Sequence, residues 1–264
     1  MVLKNKIVLG LISLFLAQVL NAQIHYFNSF DDTKIAYTMK GTGEPVLLVH
    51  GFIQNRKSWD KTVLKKELIS RGYQVIVPDL RGNGDSDKPQ KNTAYSDHAE
   101  VKDLIFLMNK LGFEKYKAIG YSRGSIVLAK LLTEDKKIEK AVLGGMGIDF
   151  TNPNWTRRLQ FTEAFNGTTN EMTKGAVDYA NSINADIKSL YLQQKFQPVT
   201  PVSDLRNLEM KVLVIAGDQD LDNGNPQDLA DVLPNAILKV VPGNHNETYK
   251  KEVFSKEVME FIKD

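Results

Sequence analysis

The residues best suited to chemistry stand at the end of an apolar run. Tyr116 to Gly120 leads into Gly120-Tyr121-Ser122-Arg123-Gly124-Ser125, and Ile126 to Leu132 follows with the composition of a helix. The pattern predicts a strand, a sharp turn and a helix, with Ser122 on the bend. Glycine suits the flanks of such a bend, because larger side chains would collide there. A serine held above a helix N-terminus sits where the helix dipole favours developing negative charge. Its hydroxyl is a poor nucleophile until an imidazole takes the proton, and the imidazole needs a carboxylate to fix its tautomer. The chain supplies both downstream, in Gly217-Asp218-Gln219-Asp220 and Gly243-Asn244-His245. Asp218 and Asp220 are both eligible on residue type and position, with Asp222 and Asp149 as remoter carboxylates.

The elements that must position these groups follow a strand-helix rhythm. Gln23 to Phe30 and Lys34 to Lys40 suggest a hairpin. Val46 to Val49 is a continuous apolar run fit for a strand buried on both faces, and it ends in His50-Gly51-Phe52. Ser58 is the expected cap of a helix whose apolar face is Trp59, Val63, Leu64 and Leu68. Gln74 to Val77 reads as a strand, and the Gly-, Asp- and Pro-dense stretch from Asp79 to Pro89 as a loop. Val101, Leu104, Ile105, Met108 and Leu111 trace one face of a helix expected to be capped near Ser96. Lys140 to Leu143, Val212 to Ala216 and Ala236 to Val241 are further strands, and helices are expected from Pro226 to Leu233 and at the C-terminus. Repeated alternation implies a mainly parallel sheet with helices on both faces. It stops between 149 and 206, where helical pieces around Arg157 to Phe165 and Lys174 to Leu192 suggest a cap outside the sheet. Gly144-Gly145-Met146-Gly147 lacks the third glycine and following helix of a dinucleotide loop, and reads as a close-packed strand end.

Ligands of an open parallel sheet bind at the carboxyl ends of its strands, where His50, Ser122, Asp218, Asp220 and His245 all fall. Together, His50-Gly51-Phe52, Asp79-Leu80-Arg81-Gly82-Asn83-Gly84-Asp85-Ser86 with Pro89, Gly120-Tyr121-Ser122-Arg123-Gly124, Gly217-Asp218-Gln219-Asp220 and Gly243-Asn244-His245 resemble the α/β-hydrolase superfamily. They match its serine-nucleophile, short-cap branch of carboxylesterases and cofactor-free haloperoxidases. The resemblance implies an α/β fold with a mostly parallel eight-stranded sheet flanked by helices. It divides the mature chain into a core of 23–148 and 207–264 and a helical cap of about 149–206, inserted after the sixth strand. It makes Ser122 the nucleophile, Asp220 the acid and His245 the base, selecting Asp220 by its offset from Gly217 and leaving Asp218 as a turn residue. The backbone N–H groups of Phe52 and Arg123 become the oxyanion donors. His50 shapes the oxyanion loop, and the loop from Asp79 to Pro89 is structural. His25 and His98 are left as surface or packing residues. Arg123 departs from the smaller residue usual after the serine. A structural ion pair beneath the turn is the first reading of its side chain, a preference for acidic substrates the second.

The expected reaction is hydrolysis of carboxylic esters or lactones of small to medium acyl groups through an acyl-enzyme. Serine at the bend argues against epoxide hydrolases and haloalkane dehalogenases, which need a carboxylate nucleophile there. A cofactor-free haloperoxidase or perhydrolase using the same triad is the alternative, and a non-catalytic binding protein on this fold is the alternative from another class. The cap aromatics Phe150, Trp155, Phe161, Phe165, Tyr179, Tyr191 and Phe196 are candidates to line an apolar pocket or to pack the cap.

Composition agrees with an ordinary globular protein, at 42% hydrophobic and 25% charged residues. Lys4 and Lys6 precede the apolar stretch from Ile7 to Leu20, and Ala22 offers a small residue for cleavage, so residues 1–22 read as a secretory signal peptide. That stretch is short of the roughly 20 residues that span a bilayer. The expected location is therefore periplasmic or extracellular, without a stable membrane anchor. The whole chain carries a formal charge of +2, and loss of Lys4 and Lys6 leaves a neutral mature chain, which argues against nucleic acid as a partner. With no cysteine there are no disulfides or thiolate ligands, and no cofactor or metal is expected. The expected partner is a small ester-like molecule.

Overall fold

A computed structural model describes residues 23–263. The expected leader, 1–22, lies outside them. Eight strands form one sheet: β1 (Ile24–Asn28), β2 (Lys34–Lys40), β3 (Pro45–Val49), β4 (Gln74–Pro78), β5 (Tyr116–Tyr121), β6 (Ile138–Gly144), β7 (Lys211–Gly217) and β8 (Ala236–Val241), in the order β1-β2-β4-β3-β5-β6-β7-β8. β2 is antiparallel to β1 and β4, and the remaining pairs are parallel. The helices are α1 (Val63–Ser70), α2 (Ala99–Lys110), α3 (Arg123–Glu134), α4 (Thr156–Phe165), α5 (Glu171–Ser182), α6 (Ile187–Lys195), α7 (Val202–Leu205), α8 (Pro226–Val232) and α9 (Glu252–Lys263). None of the described helices is long and apolar enough to cross a membrane.

The period of two along each strand builds two cores. Val46 and Leu48 of β3 join Ile119, Val142 and Leu213 on one face, closed by Leu64 and Leu68 of α1 and by Phe254, Val258 and Ile262 of α9. Leu47 and Val49 face the other way with Ala118, Leu143 and Val214, beneath α2, α3 and α8. Runs such as Val46 to Val49 are apolar at every position because both faces are covered. Between β6 and β7 the chain leaves the sheet as α4 to α7, and Ala164, Phe165, Ala180 and Leu190 gather with Ile53 into a third, smaller core.

Two helix starts differ from the sequence expectation. Ser58 caps no helix: residues 56–61 form a 3-10 turn capped by Asn55, and Thr62 caps α1 by accepting from the Lys65 N–H at 3.2 Å. Thr62 has the extended backbone a cap requires and stands one residue before the helix. Ser96 is separated from α2 by Asp97 and His98, both left-handed at φ 52° and 53°, so its hydroxyl turns back to the Thr93 carbonyl.

The loop from Asp79 to Pro89 is held by buried ion pairs. The Asp79 carboxylate meets the Arg56 guanidinium and accepts from the Arg56 and Asp85 N–H groups at 2.6 and 2.8 Å. Gly84, at φ 51°, faces that carboxylate so closely that a Cβ would overlap it. Arg81 is fully buried and donates two hydrogen bonds to Asp103 of α2 at 2.7 and 2.6 Å, with Asp31 on its outer side. Removing one member of such a pair strands a charge in the interior. Asp103→Ala is therefore expected to cost about 3–5 kcal/mol, read as a lower urea midpoint with an unchanged slope.

Candidate active site

Ser122 stands between β5 and α3 with φ 55° and ψ −128°, a strained backbone for a residue with a side chain. The conformation survives because both flanks are pinned. The Ser122 N–H donates to the Gly144 carbonyl and the Ser125 N–H to the Ser122 carbonyl, each at 2.8 Å. A Cβ on Gly120 would lie 2.5 Å from the Gly124 carbonyl oxygen, and one on Gly124 would lie 2.3 and 2.7 Å from the Val49 and His50 carbonyl oxygens. The two glycines therefore let β5, α3 and the end of β3 touch through backbone alone. Gly144 and Gly145, from the glycine cluster after β6, pack against the Tyr121 ring in the same way.

The bend brings together groups far apart in sequence. His245 Nε2 lies 2.8 Å from Ser122 Oγ, and His245 Nδ1 lies 2.6 Å from Asp220 Oδ2. An ionised carboxylate can only accept, so Nδ1 carries the hydrogen and Nε2 is free to take the serine proton. Burial raises the Asp220 carboxyl pKa, but the His245 and Asn223 hydrogen bonds outweigh it and hold the group below its ordinary value. Asp218 is exposed and accepts from the Gly243 N–H at 2.9 Å, tying the loop after β7 to the loop after β8. His50 is buried below the turn. Its Nδ1 donates to the Gly51 carbonyl at 2.8 Å and its Nε2 accepts from the Leu80 N–H at 3.0 Å, so both nitrogens are occupied. His98 pairs with Glu134 at 2.9 Å, and the His25 ring lies 5.3 Å from that of Tyr37.

Two supporting residues escaped the sequence reading. Asn223 donates to Asp220 Oδ1 at 2.7 Å and leaves Oδ2 to His245. Its one signal was a place in the same loop as Asp220. Tyr121 donates to the His245 carbonyl at 2.8 Å and stacks on Tyr249 at 4.6 Å, fixing the histidine loop from below. Arg123 begins α3, so its N–H has no carbonyl one turn back. Phe52 follows Gly51, where a Cβ would lie 3.3 Å from Ser122 Cβ, and its N–H donates to no backbone carbonyl among the described residues. The Arg123 side chain is buried and pairs with Glu100 of α2 at 2.9 and 2.5 Å while donating to the Gln193 carbonyl of α6 at 2.9 Å. No group of three or more potential metal ligands occurs among the described residues.

Two cavities meet at Ser122. An inner one of about 70 Å³ runs beneath α4 and is lined by Phe52, Arg123, Ile126, Met146, Trp155 and Phe161, among others. An outer one of about 380 Å³ reaches His245, Tyr249 and Tyr179. Of the cap aromatics, Trp155, Phe161 and Tyr179 line these spaces. Phe150 and Phe165 are buried in the cores, and Tyr191 and Phe196 lie beneath lysines.

Comparisons with known proteins bear on the fold that carries this site. A family model described as alpha/beta hydrolase fold matches residues 44–160. Epoxide hydrolase 3 of Siraitia grosvenorii is 44% identical over 87 residues, which cover 33% of this chain and 27% of that protein. The chain thus spans about a quarter of that relative's length. A non-heme haloperoxidase of Rhodococcus erythropolis is 26% identical over 253 residues, covering 83% and 91% of the two chains. Among solved structures, an esterase from Exiguobacterium antarcticum superposes with a TM-score of 0.78 over 92% of this chain and 100% of its own, at 19% identity.

Gly124→Ala must push backbone apart at the bend and is expected to cost about 1–3 kcal/mol or more, measurable as a lower melting temperature. The depressed Asp220 pKa has a definite sign. Its stabilisation is fully present above the unfolded value of about 4 and is lost as pH falls through the lower folded value. The stability gap between the wild type and Asp220→Asn is therefore expected to be constant at neutral pH and to close on acidification, followed by urea titration at each pH.

Proposed function

Because the chain has the α/β-hydrolase fold, we propose that it is a serine hydrolase of carboxylic esters or lactones, exported by its leader and released as a soluble enzyme. One observation carries the reading: a continuous relay from Ser122 Oγ through His245 to Asp220, at 2.8 and 2.6 Å. Ser122 attacks the ester carbonyl as His245 Nε2 takes its proton, and the carbonyl electron pair moves onto oxygen. The Phe52 and Arg123 N–H groups receive that oxyanion, the second with the α3 dipole behind it. Collapse breaks the ester C–O bond, and His245 returns the proton to the leaving alcohol. Water then attacks the acyl-serine through the same base, releasing the acid and restoring Ser122.

The two cavities divide the substrate. The leaving oxygen must lie within reach of His245, which lines the outer cavity and not the inner one, so the alcohol faces outward and the acyl group enters the inner space. Its mainly apolar walls suit a small or medium acyl chain. Likeness to the Rhodococcus erythropolis haloperoxidase favours a second reaction in which hydrogen peroxide replaces water at the acyl-serine.

A fluorophosphonate is expected to label the folded protein and not Ser122→Ala; an unlabelled wild type would sink the proposal. On short-chain aryl esters, Asp220→Asn is expected to lower kcat by about 10⁴ and Asp218→Asn to leave most of it. The reverse result would move the acid to Asp218.

A further inference from the structure

The inner cavity is lined by three arginines, Arg123, Arg157 and Arg158, and by no aspartate or glutamate. Their pairing is incomplete. Arg158 donates from Nη2 to the Lys195 carbonyl at 3.2 Å, but its Nη1 is buried with no acceptor. Arg123 is held by Glu100, yet its Nε is also buried without one. Gln197, 4% exposed, adds a buried and unpartnered Nε2. Of the nine buried side-chain polar atoms without a partner among the described residues, three are carried by residues that line this one cavity, and all three are donors. Arg157 lies over the Phe161 ring at 4.9 Å, and the carboxylates of Asp220 and Asp222 act on it only from a distance. Burial lowers the pKa of both Arg157 and Arg158, as expected of guanidinium groups kept from water without a carboxylate in contact.

Buried donors without acceptors are costly, and a ligand that brings the acceptors recovers that cost. A carboxylate is the planar, two-oxygen anion that a guanidinium fork fits best. The geometry points to an acyl group that carries its own free carboxylate: a monoester of a short dicarboxylic acid, or a lactone retaining an acid group, held by Arg158 and Gln197 with Arg157 where the two cavities join. The assignment rests on the hydrolase reading, because that reading sends the acyl side inward. The free carboxylate takes no part in bond making. Water and the monoester give the dicarboxylate, the alcohol and a proton, and every electron pair moves as in the neutral reaction.

The test compares p-nitrophenyl hydrogen glutarate with p-nitrophenyl valerate, an uncharged acyl group of equal chain length, on the purified full chain. The expected result is a kcat/KM at least about tenfold higher for the charged ester. In Arg158→Gln that ratio should fall about tenfold, mainly through KM, and Arg158→Lys should restore part of it. A merely structural loss would lower both esters together and leave the ratio unmoved. Equal or better use of the neutral ester, with a ratio indifferent to Arg158→Gln, overturns the inference while the hydrolase reading stands. Failure of both esters together with absent fluorophosphonate labelling overturns the hydrolase reading instead. Calorimetric titration of Ser122→Ala with glutarate tests the anion site without turnover. Binding that weakens in the Ser122→Ala, Arg158→Gln double variant supports the site, and no binding overturns it.

Discussion

Everything at the site depends on one close backbone approach, that of Gly124 to the carbonyl oxygens of Val49 and His50. It is the contact by which α3 is seated against the end of β3, and only a residue without a Cβ permits it. With α3 seated, the chain between β5 and α3 has too little length to relax, and Ser122 is left at φ 55°. The strain is local, whereas the packing that enforces it is spread over both faces of β5, every residue of which is buried. A single substitution at Gly124 therefore acts on the position of a hydroxyl it never touches.

Around this centre the strand ends are tied down by charge. Arg56 with Asp79, Arg81 with Asp103 and Arg123 with Glu100 are buried pairs that join loops or the bend to the elements beside them. Such pairs add little net stability over apolar packing, but they accept only a narrow range of geometries. Arg123 extends the tie to the cap through the Gln193 carbonyl. One side chain thus fixes the bend to α2 beneath it and to α6 above it.

Much of the fold was legible because buried parallel strands must be apolar at every position, as Val46 to Val49 and Val212 to Ala216 are. Ser122, Asp220 and His245 could be paired from motif and chain order, and the structure brings them within hydrogen-bonding distance. Caps were less legible. Ser58 and Ser96 are good capping residues by type, yet Thr62 and the left-handed Asp97-His98 pair decide where α1 and α2 begin. Asn223 was missed because a donor to a carboxylate three residues away has no distinctive sequence pattern, and Tyr121 because a hydrogen bond to a loop 124 residues away leaves no mark on local composition. The unpartnered nitrogens of Arg158 and Gln197 are still further from reach, since the absence of an acceptor is a property of the folded chain.

Phe52 has one foot on each side of the cleft. Its ring packs against Phe161 and Phe165 of α4, with centroids 6.1 and 5.0 Å apart, while its amide belongs to the turn beside Ser122. On the proposed mechanism, the cap is then a clamp on the catalytic machinery as well as a wall of the pocket. Grafting a foreign cap onto this core would change the intrinsic rate along with the substrate range, so the two traits form one inherited module rather than independently tunable parts.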